Sequence, residues 1–87
     1  MTSTTNSSNV AEFETINSRM SALVARKMAA EHVSMRELAR RSGIPRSTLR
    51  GRIKGSRGPW YTNEMDVVAR GFGMHVVEFV REIEAMA

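Results

Sequence analysis

Four residues punctuate the stretch from Ser34 to Gly55 so closely that only two short helices fit between them. Ser34 precedes Met35-Arg36-Glu37, which reads as a capping box: a hydroxyl accepts a free backbone N–H and a carboxylate three residues on reaches back. Gly43 follows Arg40-Arg41-Ser42, and glycine takes the left-handed conformation that ends a helix while the cations suit its negative end. Pro45 stands at the start of the next helix, where its missing N–H costs nothing, and Gly55 closes that helix after Lys54. Met35, Leu38 and Ala39 on the first helix, Ile44 in the turn, and Leu49 and Ile53 on the second must meet in one small core. Ala39 is small enough for the helices to cross closely. Everything else on the second helix is polar, basic or glycine and is pushed outward as a ridge.

The flanking segments are helical by the same spacing argument. Ile16, Met20, Leu23, Val24 and Met28 form one stripe of a helix predicted over 14–31, broken at His32-Val33-Ser34. Residues 1–13 are read as a flexible polar tail, since Thr2 to Asn9 has no apolar side chain to offset its ordering entropy. Ser56-Arg57-Gly58-Pro59 is a loop by composition, and Trp60 and Tyr61 are expected to pack it onto the core. Thr62 is the expected cap of a fourth helix with Met65, Val68, Ala69 and Phe72 inward and Gly73 as terminator. His75, with Glu78 three residues on, caps a fifth that carries Val76, Val77, Phe79, Val80, Ile83 and Met86. No alternating strand pattern occurs. The expected fold is all-α: five short helices in one compact, orthogonally packed domain over 14–87.

Composition narrows the function. The 87 residues include no cysteine, so neither a disulfide nor a thiolate metal site is available. No apolar run approaches the roughly 20 residues that span a bilayer, and Met1 to Asn9 lacks the basic start of a secretory signal; a cytoplasmic protein with no membrane contact is expected. His32 and His75 lie far apart with no acid at ligand spacing, and no nucleophile–base pair occurs. The expectation is no enzyme, metal, cofactor or small-molecule ligand. The methionines at helical spacing are core filler.

Charge is unevenly distributed. Between Met35 and Trp60, Arg36, Arg40, Arg41, Arg46, Arg50, Arg52, Lys54 and Arg57 face Glu37 alone. From Tyr61 onward Arg70 and Arg81 are outnumbered by Glu64, Asp66, Glu78, Glu82 and Glu84. A basic centre beside an acidic end fits a charged binding face for a polyanion such as double-stranded DNA.

The run Arg36-Glu37-Leu38-Ala39-Arg40-Arg41-Ser42-Gly43-Ile44-Pro45-Arg46-Ser47-Thr48-Leu49 resembles the helix-turn-helix of the phage Cro/repressor family of DNA-binding regulators. The likeness extends over roughly Ile16 to Val80, through Met65-Asp66-Val67-Val68-Ala69, Gly73-Met74-His75 and Val77-Glu78-Phe79-Val80. It implies a five-helix, lambda-repressor-like domain that inserts the helix at about 45–54 into the major groove of an operator. Arg46 and Ser47 match the family's base-reading pair; Thr48 and Arg50 join them as candidate base contacts, and Arg52, Lys54 and Arg57 as phosphate contacts. Three features depart from the pattern. Arg52 occupies the place of the family's second inward aliphatic, Met35 stands where a phosphate-contacting polar residue is usual, and Gly51 leaves a central base-reading position without a side chain. Gly51 could let the helix sit close to the groove floor.

One such helix contacts only about four base pairs, so a homodimer on two half-sites is the expected remedy. Val76, Phe79, Val80, Ile83 and Met86 exceed what one small core needs and are the candidate dimer surface; the competing reading is that they only close the core. A transcriptional regulator is the leading expectation. A protein-interaction module of the antitoxin or coactivator-like kind, with only non-specific DNA affinity, is the alternative.

Overall fold

In the computed structural model the backbone is described from Thr2 to Met86 and the side chains from Ile16 to Met86. Five helices follow one another: α1 (Thr2–Glu31), α2 (Met35–Ser42), α3 (Arg46–Lys54), α4 (Thr62–Gly71) and α5 (Val76–Ala85). No strand occurs among the described residues. The backbone of α1 is helical well before the predicted start at Glu14; the tail expected at 1–13 lies outside the residues whose side chains are described.

Each boundary has a local cause. His32 ends α1 in the left-handed region at φ 56°, and Val33 N–H closes the turn on Met28 O at 2.9 Å. Ser34 Oγ accepts the Glu37 N–H at 3.0 Å, one half of the expected capping box. The other half is absent, because the Glu37 carboxylate turns to Arg40 and Arg41 instead. Gly43 ends α2 at φ 78° and donates to Ala39 O at 2.9 Å. Ser42, buried in the turn, accepts the Ile44 N–H at 3.2 Å and so holds the Ile44 side chain inward. Pro45 is the N-cap of α3 and Gly55, at φ 79°, its terminator. Tyr61 rather than Thr62 is the N-cap of α4, since the Glu64 carboxylate accepts the Tyr61 N–H at 2.9 Å. His75 Nδ1 accepts from Val77 N–H while Glu78 accepts from His75 N–H, which completes the cap predicted for α5.

The core gathers Met20, Leu23 and Val24 from α1, Leu38 from α2, Ile44 from the turn, Leu49 from α3, Val68 and Ala69 from α4, and Phe79 and Ile83 from α5. Phe72 and Phe79 stack with ring centroids 6.4 Å apart. The close crossing of α2 and α4 occurs at Gly71, where a Cβ would lie 3.3 Å from Leu38 Cδ1; there Arg41 also donates to Gly71 O at 3.1 Å. Lys27 and Glu82, 3.1 Å apart, tie α1 to α5.

Two apolar assignments change. Ile16, expected in the buried stripe of α1, is 48 % exposed. On α5, Phe79 and Ile83 are 0 % and 3 % exposed and belong to the chain's own core, so neither is available as a dimer surface. Of that set Val76, Val80 and Met86 are half-buried, while Val77, 49 % exposed, is the apolar side chain α5 offers outward. Truncating Phe79 to alanine is therefore expected to cost about 3–5 kcal/mol in urea denaturation, against a change within about 0.5 kcal/mol for Val77→Ser. Similar losses for the two would contradict this division of α5.

Candidate nucleic-acid interface

The inward side of α3 is set by Leu49, fully buried, with Ile53 half-buried one turn on and Arg52 buried beside it. At about 100° per residue, this turns Ser47, Gly51 and Lys54 to the outward side with Arg50 at its edge; Arg46, about 60° from Leu49 around the axis, stands one turn before Arg50 in the exposed first turn. Arg46, Ser47, Arg50 and Lys54 are all exposed. Thr48 is half-buried and lies about 160° around the axis from Arg50, on the opposite flank of the outward side.

Ion pairing separates the cations into two groups. Arg40 and Arg41 both bind the Glu37 carboxylate, whose pKa the Arg40 and then the Arg41 hydrogen bonds hold at about 2. Arg70 pairs with Asp66 at 3.3 Å. Arg46, Arg50, Lys54 and Arg57 are exposed and, among the described residues, their side chains enter no hydrogen bond or ion pair. There is no acid on α3, and the one acid of α2 is already taken. These four charges are thus left to solvent or to an external anion.

Arg52 leaves the set of expected phosphate contacts. It is 8 % exposed, and its guanidinium meets Glu64 of α4 through two parallel hydrogen bonds, Nε to Oε1 at 2.9 Å and Nη2 to Oε2 at 3.1 Å. Its Nη1 donates to Arg57 O, and the Tyr61 ring covers it with the centroid 4.7 Å from Cζ. All of its charge is used inside the molecule. Burial pushes the Glu64 carboxyl up, but the Arg52 hydrogen bonds and the Tyr61 N–H outweigh it and leave its pKa below the ordinary value. The inward place in which an aliphatic was looked for is filled by half of a bidentate ion pair.

Glu64, Ser21 and Asn17 are the positioning residues that sequence reasoning did not find. Ser21 Oγ donates to Arg52 O at 2.9 Å, beside the Gly55 N–H that the same carbonyl accepts at 3.2 Å, and it accepts the Trp60 indole N–H at 3.0 Å. Asn17 Oδ1 accepts the Trp60 N–H at 2.8 Å. Trp60 is buried, as its expected packing role requires; Tyr61 is exposed and covers Arg52 instead of the core. An arginine at an inward helical position with an acid in the first turn of the next helix was the available signal for the pair.

Among the described residues no cluster of histidine, aspartate and glutamate could hold a metal ion, and no helix is long and apolar enough to cross a membrane. No protein-family model, characterised protein or solved structure matches the chain.

Removing one member of a buried pair strands the other's charge. Glu64→Leu alone is expected to cost about 3–5 kcal/mol, and Arg52→Leu/Glu64→Leu to recover most of that loss. The pair also sets an acid response. Because the folded-state pKa of Glu64 is depressed, its contribution is complete above the unfolded value near 4.5 and is lost as pH falls through the lower folded value. Thermal unfolding followed below pH 4.5 should show a shallower decline in Glu64→Gln than in the wild type; identical slopes would remove Glu64 as the source.

Proposed function

We propose that the chain is a helix-turn-helix protein of the Cro/repressor kind, which regulates transcription by seating α3 in the major groove of an operator. The observation that carries this reading is the group of four cations around α3 that the fold leaves without an internal counter-ion. Arg40, Arg41 and Arg70 are each neutralised by a carboxylate three or four residues away, while Arg36 on α2 is exposed and, among the described residues, unpaired. On α3 that neutralisation is missing, and backbone phosphates supply the opposite charge.

The dimensions agree. A helix with its side chains is about 10–12 Å across and the major groove about 12 Å wide. The tight Gly43-Ile44-Pro45 turn and the buried Leu38, Ile44 and Leu49 brace α3 from behind, so its outward side projects as a ridge. Arg46, in the exposed first turn of α3, reaches base edges, where its planar fork matches guanine O6 and N7. Ser47 stands beside it. Lys54, at the C-terminal end, is placed for a phosphate. Arg50, between them, serves either.

The test is selection from a random duplex pool, followed by titration of the winner and of random duplex at two salt concentrations. A single winning sequence bound about a thousandfold or more above random duplex is expected; a palindrome would report two copies on DNA. Arg46→Ala should cost about 1–3 kcal/mol on the winner and relax its sequence preference. Lys54→Ala should weaken both duplexes alike and lower the salt slope by about one. Enrichment of no sequence, with weak salt-sensitive binding to every duplex, would overturn the reading and turn attention to a protein partner for this face.

A further inference from the structure

Gly51 lies on the outward side of α3, yet it is buried. What covers it is the side chain of Arg57, from the loop after the helix. A Cβ built on Gly51 would fall 2.3 Å from Arg57 Cγ, 2.7 Å from its Cβ and 2.8 Å from its Cδ. The arginine stem thus rests directly on the helix backbone, in the space that a side chain at position 51 would fill.

The seat is built on both sides of the residue. Arg57 N–H donates to Gly51 O at 3.2 Å, and Ser56 N–H donates to the same carbonyl at 2.9 Å. Arg57 O accepts from the Arg52 guanidinium, which Glu64 holds in place. The backbone of residue 57 is therefore pinned to α3 through its own N–H and its own carbonyl. Its guanidinium, beyond the stem, is exposed and has no partner among the described residues.

We propose that Arg57 is a base-reading residue, which borrows the central position of α3 that Gly51 vacates and presents its guanidinium to a guanine edge in the major groove. The inference rests on the DNA-binding reading of α3 and revises the phosphate role expected for Arg57. Helical spacing puts position 51 one turn from both Ser47 and Lys54 and next to Arg50, in the middle of the ridge. A group seated there meets the groove floor before it meets a phosphate. Glycine is required because any Cβ would collide with the fixed, near end of the arginine and not with its flexible tip.

The experiment compares selected sequences and affinities for the wild type, Arg57→Lys, Gly51→Ala and the double variant. Far-UV circular dichroism and thermal unfolding check that each is folded. Lysine keeps the charge but loses the fork that pairs with guanine; alanine at 51 keeps Arg57 intact and displaces it. Both single variants should lose preference at the same base pair, lowering the ratio of specific to random affinity about tenfold. Arg57→Lys should retain its affinity for random duplex. Gly51→Ala should have no further effect on preference in the Arg57→Lys background. If the wild type selects a sequence and Arg57→Lys keeps every base preference, Arg57 is a phosphate contact and the inference is wrong, while the function stands. If the wild type selects no sequence, the DNA-reading function falls and takes this inference with it.

Discussion

The Arg52–Glu64 pair joins α3 to the start of α4, and the geometry around it follows from one requirement: two opposite charges taken out of water need every available hydrogen bond. Two bonds join the side chains directly. Of what remains, Glu64 uses an oxygen to cap Tyr61 N–H, which starts α4, and Arg52 uses Nη1 to hold Arg57 O, which folds the intervening loop back onto α3. The Tyr61 ring then shields the guanidinium from above. One pair thereby determines where a helix begins, how a loop turns and where a second arginine sits. Such a pair adds little net stability compared with a well-packed aliphatic pair. What it adds here is placement, since an aliphatic side chain at position 52 could not bind the Arg57 carbonyl.

The same region is held from the other side by α1. The Arg52 carbonyl at the end of α3 accepts the Gly55 N–H, and Ser21 adds a second donor to it while receiving the Trp60 indole. Trp60 is buried through its ring and bonded through both of its N–H groups, to Ser21 and to Asn17. The loop of residues 55–60 is thus anchored at its C-terminal end by α1, in its middle by Arg52, and at its start by the left-handed Gly55. A loop restrained in this way has less conformational entropy left to lose on binding a partner than a free one.

Much of this fold was legible in the sequence because its boundaries are chemical. Ser34, Gly43, Pro45, Gly55, Gly73 and His75 each have a backbone or capping preference that operates locally; α2 and α3 begin and end beside such residues, α4 ends before Gly73 and α5 begins after His75. What was not legible depends on partners distant in the chain. Arg52 looks like any other member of a basic cluster until Glu64, twelve residues on, is brought against it. Phe79 and Ile83 look like surplus apolar surface until α1 and α4 are packed on α5. Ile16 fits the helical stripe, yet it is exposed. Periodicity states which side chains share a face; it does not state what the face meets.

Gly51 shows the same limit at the site itself. Read along the chain, a glycine on the outward side of α3 is a missing side chain, and its plausible use is to let the helix approach its target. In three dimensions it is an occupied position, filled by a residue six places later whose own backbone is bonded to that same glycine's carbonyl. The occupancy alters the shape of the ridge: its middle carries the stem of an arginine where a helix side chain would stand. A substitution at 52, which is not exposed, would remove one of the two backbone bonds that tie residue 57 to α3. The arrangement of the outward face is therefore coupled to a buried ion pair on the other side of the helix, through a single carbonyl oxygen.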